Sequence, residues 1–257
     1  MNNVLKIGLF GFGKTGKLVA NELLNSADIH LQWVVRKSHD SHHKYASRLL
    51  GCEYDAGEIY SVDDLTNDFF INHPVDAIID FSNSAGVNLY KTAGLSGIPI
   101  VSAISNYDLH DMSVLEKLAK SCPVLYSPNI TLGINVLIVA AQILQKIMPQ
   151  ADIEIVEEHF REKSGVSGTA KKIANLLDLS AEKHINSIRV GGIVGRHEII
   201  LGMPNQTIRL SHESINRAAF GQGAIFATHA IIGKPAGMYT METIIVEMFR
   251  NNIPLYL

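Results

Sequence analysis

Glu157-Glu158-His159 closes a strand-like run, Lys163 follows four residues later, and Ser167-Gly168-Thr169-Ala170 then opens an amphipathic segment carrying Ile173, Ala174 and Leu177. This order places proton-handling groups directly before an anion site. His159, with an unperturbed pKa of about 6.5, can deliver a proton to a carbon or nitrogen that becomes basic once hydride has arrived. N–H groups at the helix start, the Thr169 hydroxyl and the Lys163 ammonium can together hold a carboxylate. A plainer reading fits the same residues, with Ser167 as a helix cap, His159 as a strand-end histidine and Lys163 as a solvated loop charge.

A second constellation, Gly11-Phe12-Gly13-Lys14-Thr15-Gly16, follows an apolar run and precedes the helical pattern of Lys17-Leu18-Val19. Glycines there allow a tight turn and close approach of backbone to a pyrophosphate, while the helix start supplies N–H donors and a positive dipole end. The next apolar run ends in Arg36-Lys37 where an NAD-specific site would carry an acid. A guanidinium holds a 2′-phosphate bidentately, so the expected cofactor is NADPH, with NADH as the alternative. His39, His42 and His43 form no recognised ligand spacing and read as a solvated loop, so no metal is assigned.

These groups need a scaffold. Apolar runs at 5–10, 31–35, 77–81, 100–103 and 124–126 alternate with amphipathic stretches, the rhythm of βαβ units. After Pro128 come a long apolar helix and strands at 152–158, 186–190, 198–201 and 206–211, several of them alternating as in an antiparallel sheet with one wet face. A helix over 218–232 ends near Gly233 and Pro235, and another covers 241–250. The expected fold is α/β: a Rossmann-type parallel-sheet domain (1–127 with 235–257), plus a second α+β domain (128–234) with a mixed or antiparallel sheet. His197, His212 and His229 fall in the second domain on this division, as structural histidines by default.

Composition narrows the function classes. The chain has 257 residues, 47% hydrophobic and 18% charged, with a net charge of −3 and a mean hydropathy of +0.14. That is too apolar for a disordered chain and too balanced to hold nucleic acid or anionic lipid through a global field. The apolar stretch 134–148 is shorter than the ~20 residues of a span and is broken by Asn135, Gln142, Gln145 and Lys146. Two cysteines, no leader pattern and no span predict a cytoplasmic protein with no membrane partner.

The segments Asp80-Phe81-Ser82, Asn129 through Val136, Glu157-Glu158-His159 through Lys163, Ser167 through Ala170, Gly192 through Glu198 and Gly233 through Tyr239 occur in one particular order. In that order the chain resembles the 4-hydroxy-tetrahydrodipicolinate (dihydrodipicolinate) reductases over nearly its whole length. The resemblance implies reduction of 4-hydroxy-tetrahydrodipicolinate to tetrahydrodipicolinate in lysine and diaminopimelate biosynthesis, by a homotetramer. It makes His159 the proton donor, Lys163 its partner at a substrate carboxylate, and Gly168 with Thr169 the carboxylate cradle. It extends the cofactor site to Ala103, Ile104 and Ser105 and to Ser127, Pro128, Asn129 and Ile130. Phe160 stands beside His159, at the substrate, where the family has a second histidine; Lys163-Ser164-Gly165-Val166 is one residue shorter than usual and lacks a proline. Ala103-Ile104-Ser105-Asn106 replaces a Gly-Thr-Thr-Gly stretch, and the segment from the Ser167 helix to Arg189 is short. Two further readings fit these departures: a reductase of another cyclic imine or keto acid, and a silent NADP(H)-binding paralogue.

Overall fold

The computed structural model describes residues 4–38 and 43–253. In chain order these form β1 (Leu5–Phe10), α1 (Lys14–Asn25), β2 (Ile29–Arg36), α2 (Ala46–Leu49), β3 (Glu58–Ser61), α3 (Phe69–Asn72), β4 (Ala77–Asp80), α4 (Lys91–Leu95), β5 (Ile100–Ser102), α5 (Leu109–Leu118) and β6 (Pro123–Tyr126). There follow α6 (Leu132–Ile147), β7 (Asp152–His159), α7 (Gly168–Leu176), α8 (Ala181–His184), β8 (Ile185–Arg189), β9 (Arg196–Met203), β10 (Gln206–Glu213), α9 (Ala219–Ile231), β11 (Gly237–Tyr239) and α10 (Met241–Asn252).

The chain divides into two compact units, one of residues 1–130 with 220–244 and one of 131–219 with 245–257. In the first, seven parallel strands run in the order β11-β6-β5-β4-β1-β2-β3. Every residue of β4 is buried, as expected of a strand covered on both faces, and so β4 reads as an unbroken apolar run closed by Asp80. Chain order reverses between β1 and β4, the topological switch point at which such sheets open a crevice for ligands.

Two strands of this sheet escape the sequence reading. β3 (Glu-Ile-Tyr-Ser) and β11 (Gly-Met-Tyr) lack the unbroken apolar run that marks the equally short β4 and β5; pairing with β2 and with β6 makes them strands. The boundary also moves. Helix α9 rests on α1, since a Cβ on Gly221 would fall 2.5 Å from the Glu22 Cβ, and His229 pairs with Asp28 at 3.0 Å. Residues 220–234 therefore belong to the first unit, not the second, and take His229 with them, while 245–253 belong to the second.

The second unit has a four-stranded sheet in the order β10-β9-β7-β8. It is mixed: β9 is antiparallel to β7 and β10, whereas β8 runs parallel to β7 because the α7–α8 crossover carries the chain back before β8 begins. Alternation sorts β7 cleanly, with Ile153, Ile155, Glu157 and His159 buried and Asp152, Glu154, Val156 and Glu158 on the other side. The buried aliphatic residues of β7 pack with Ile138, Ile173 and Ile199 in the core of this unit. On the opposite face Arg196 bridges Glu158 and Glu198, and Arg209 also binds Glu198.

Candidate functional site

The glycine turn lies where β1 ends, at the switch point. Gly11 has φ +92°, and a Cβ there would meet the Phe81 carbonyl at 2.6 Å; a Cβ on Gly16 would lie 2.1 Å from the Gly11 carbonyl oxygen. Nothing lies within 4 Å of where a Gly13 Cβ would be, so backbone is presented to open space on that side. These are the properties of a turn that admits a pyrophosphate, and the residues fit a dinucleotide.

Two cavities flank the turn. One, of about 560 Å³, is lined by Gly11, Phe12, Gly13, Arg36 and Lys37, among others. The other, of about 460 Å³, is lined by Thr15, Ala103, Ile104, Ser105, Pro128 and Ile130, together with Asn106 and Phe220. Lys14 is exposed at the start of α1, and Gly16 is buried against the turn. Ser127 is buried and donates to the Asn129 carbonyl at 2.7 Å, holding the bend that brings Pro128 and Ile130 to the cavity.

Phe81, Ser82 and Asn83 line both cavities and were missed as site residues. Their loop hangs from Asp80, which is fully buried and accepts the Ser82 N–H at 2.8 Å, the Ser82 hydroxyl at 2.6 Å and the Tyr90 hydroxyl at 2.8 Å. Burial pushes the Asp80 carboxyl up to about 6. A lone acid ending an apolar run is the signal for such an anchor.

In the second unit β7 delivers His159 to the end of the sheet, 8% exposed, with Nδ1 2.5 Å from Glu157 Oε2. Glu157 is completely buried and also takes bonds from Arg189, Ser187 and the Ser167 N–H. Burial raises its pKa, but these donors outweigh that and hold it at about 2. Burial lowers the His159 pKa first; Glu157 opposes the shift, and Lys163 and Arg189 reinforce it. The balance favours the neutral imidazole, with Nδ1 turned to the Glu157 carboxylate.

Ser167 sits at the N-cap position of α7 but does not cap it; its hydroxyl meets His197 Nε2 at 3.0 Å. His197, 6% exposed, stands edge-to-face on His159 with centroids 5.3 Å apart, and burial, aided by His159, brings its pKa down to about 4. Gly168 borders open space, Thr169 and Lys163 are half-buried beside it in the chain, and Phe160 is half-buried next to His159. The sequence reading passed over Glu157, Arg189 and His197 as functional groups. A carboxylate on the apolar face of an alternating strand, two residues before the histidine, was the available sign.

Glu157 and His197 both hold fewer protons folded than unfolded, so acid must destabilise this unit. His197 contributes stability above pH 6.5 that is lost as pH falls toward 4; Glu157 contributes stability above 4.5 that is lost toward 2. Buried Asp80 in the first unit, pushed up to about 6, acts in the opposite sense and adds stability as pH falls from 6 toward 3.8, so denaturant titrations at stepped pH compare the intact chain with its His197→Asn variant. Wild type is expected to lose stability relative to that variant as pH falls from 6.5 toward 4, and parallel profiles contradict the His197 assignment.

Among the described residues no group of three His, Cys, Asp or Glu side chains could hold a metal; His39 and His42 lie outside those residues. No helix among them is long and apolar enough to cross a membrane.

A Rossmann-type sheet with a dinucleotide turn, joined in one chain to a mixed-sheet unit bearing a buried Glu-His pair beside a helix start, defines a reductase of the pyridine-nucleotide class. Models of the dihydrodipicolinate reductase N-terminus and C-terminus match residues 5–130 and 133–245, and the chain belongs to that family. It is 34% identical over 197 residues to the 4-hydroxy-tetrahydrodipicolinate reductase of Caldanaerobacter subterraneus subsp. tengcongensis, covering 68% of this chain and 78% of that one. The Clostridium novyi enzyme of the same name is 26% identical over 256 residues, covering 91% and 94%. A dipicolinate-bound dihydrodipicolinate reductase from Paenisporosarcina sp. TG-14 has the same fold, with TM-score 0.73, 19% identity and coverage of 94% and 99%.

Proposed function

We propose that this chain reduces 4-hydroxy-tetrahydrodipicolinate to tetrahydrodipicolinate with NADPH, releasing the ring hydroxyl as water. The observation that carries this reading is His159 held on buried Glu157 at the start of α7 in a chain of this family. When bound, the reduced nicotinamide supplies a hydride. The chain's own residues do the rest. The substrate is a dianion, and its charge beside His159 offsets the desolvation that keeps the ring neutral, so Nε2 takes up a proton on binding. That proton goes to the enamine-like product of hydride transfer. Lys163, Gly168 and Thr169 meet a carboxylate through charge and N–H donors.

Following absorbance loss of NADPH with freshly prepared substrate tests the assignment, with 2,6-pyridinedicarboxylate as the competing planar analogue. No turnover of that substrate together with turnover of another cyclic imine favours the second reading, which rests on Phe160 presenting an apolar ring where a polar contact is expected. The NADPH preference rests on Arg36 and Lys37 in the larger cavity. Arg36→Ala is expected to raise the KM for NADPH roughly tenfold or more, the worth of a charge-assisted bond, and leave NADH nearly unchanged. Equal effects on both cofactors would remove Arg36 from the phosphate site. We also read the protein as a cytoplasmic homotetramer, in keeping with free Cys52 and Cys122 and with its family; light scattering checks the assembly.

A further inference from the structure

His159 ends β7, Lys163 sits on the loop that follows and Ser167 leads into α7, and a single buried carboxylate lies at their junction. Glu157 Oε2 faces His159 Nδ1 at 2.5 Å and accepts from Arg189 Nη1 at 2.9 Å. Its Oε1 accepts the Ser167 N–H at 3.2 Å, the Ser187 hydroxyl at 2.6 Å and Arg189 Nη2 at 2.5 Å. The Arg189 fork does not stop there. Nε donates to the Lys163 carbonyl at 3.1 Å and Nη2 to the Gly165 carbonyl at 2.6 Å, so the same guanidinium grips the loop that lacks a proline. At the other edge of the imidazole, a Cβ on Gly195 would approach Nε2 to 3.0 Å; glycine keeps that atom uncrowded.

We propose that Glu157 and Arg189 are a positioning pair: Glu157 fixes His159 in its Nδ1–H tautomer with Nε2 as the working atom, and Arg189 extends that anchor to the loop bearing Lys163. This rests on the reading of His159 as proton donor. A carboxylate aimed at Nδ1 sets both ring orientation and tautomer, because the imidazole can satisfy it only by donating there. The charged and titratable groups facing the ring are Glu157 on β7, Arg189 on β8, His197 on β9 and Lys163 on the loop, and Glu157 is the one acid among them. Removing its charge therefore leaves the cations unopposed and moves the ring's protonation to lower pH. Arg189 meets the loop only through two carbonyls, so its loss acts on where Lys163 is held.

The test is made on the intact chain with its cofactor. Nitrogen-15 NMR of the histidine ring should show wild-type His159 as the Nδ1–H tautomer at neutral pH. Glu157→Gln should mix the tautomers, lower kcat roughly 100-fold and shift the alkaline limb of the kcat profile to lower pH, with the KM for NADPH unchanged. Arg189→Lys keeps the charge and loses the fork; it should raise the KM for the dicarboxylate more than it lowers kcat. Should the glutamine variant fail to fold by circular dichroism, Glu157→Asp, which keeps the charge on a shorter stem, should lose the tautomer preference instead. Wild-type tautomer and pH profile in the folded Glu157 variant, with His159→Gln inactive, overturn the positioning pair alone. Full activity of His159→Gln overturns the proton-donor reading beneath it.

Discussion

His159→Gln is expected to lower kcat by about 10²- to 10⁴-fold, the usual worth of a positioned general acid, while leaving NADPH affinity as it is. Glutamine nearly matches the volume of histidine and its amide can donate to Glu157, so the buried site keeps its bonds and loses only a group that titrates. The cofactor turn and its two cavities belong to the other compact unit. Binding followed by nucleotide fluorescence therefore separates chemistry from folding. A variant with near-wild-type turnover removes His159 from the reaction; a variant that loses both turnover and nucleotide binding points to a folding defect instead.

Trp33→Ala should lower the stability of the first unit by about 3–5 kcal/mol, a large share of the roughly 5–15 kcal/mol that holds a domain together. The indole is fully buried on β2. It packs against Phe10 and Phe69 at centroid distances of 5.6 and 5.5 Å and against Phe70 at 6.1 Å. Its neighbour on β1 is Gly8, where a Cβ would lie 2.2 Å from the ring, so the strands have made room for an indole that alanine cannot fill. The Nε1–H donates to the His73 carbonyl at 3.0 Å, a bond that alanine also removes. Guanidinium unfolding monitored by circular dichroism measures the loss, and a change below 1 kcal/mol would show that the core repacks around the gap. Because β2 ends at Arg36, the KM for NADPH should rise as well.

Much of this molecule is written locally. Valine- and isoleucine-rich runs marked β1, β2, β4, β5 and β6, since strands buried on both faces need continuous apolar residues. Glycines 11 and 13 after a strand, with Gly16 in the first turn of the helix that follows, marked the nucleotide turn. Residues 153 to 159 alternate, so Glu157 and His159 had to share a face, and Lys163 with Gly168 and Thr169 had to follow closely. Those inferences need only the chain's own periods of 2 and 3.6.

What the local pattern could not contain is who meets whom across strands. Arg189 reaches Glu157 because β8 pairs parallel with β7 in the register His159↔Arg189 and Glu157↔Ser187. A shift of one residue would turn both side chains to the other face. His197 meets His159 through the antiparallel pairing of β9, and Ser167 turns its hydroxyl to that histidine although its sequence is that of a cap. Likewise α9 belongs with the first unit because Gly221 lets it rest on α1, a contact 200 positions removed in places from its partner. The sequence alone determined the candidate proton donor, the anion-binding helix start and the dinucleotide turn, since each is a short-range arrangement. Only the tertiary structure decided that a buried carboxylate and a distant arginine hold them, because burial and register arise when strands pair.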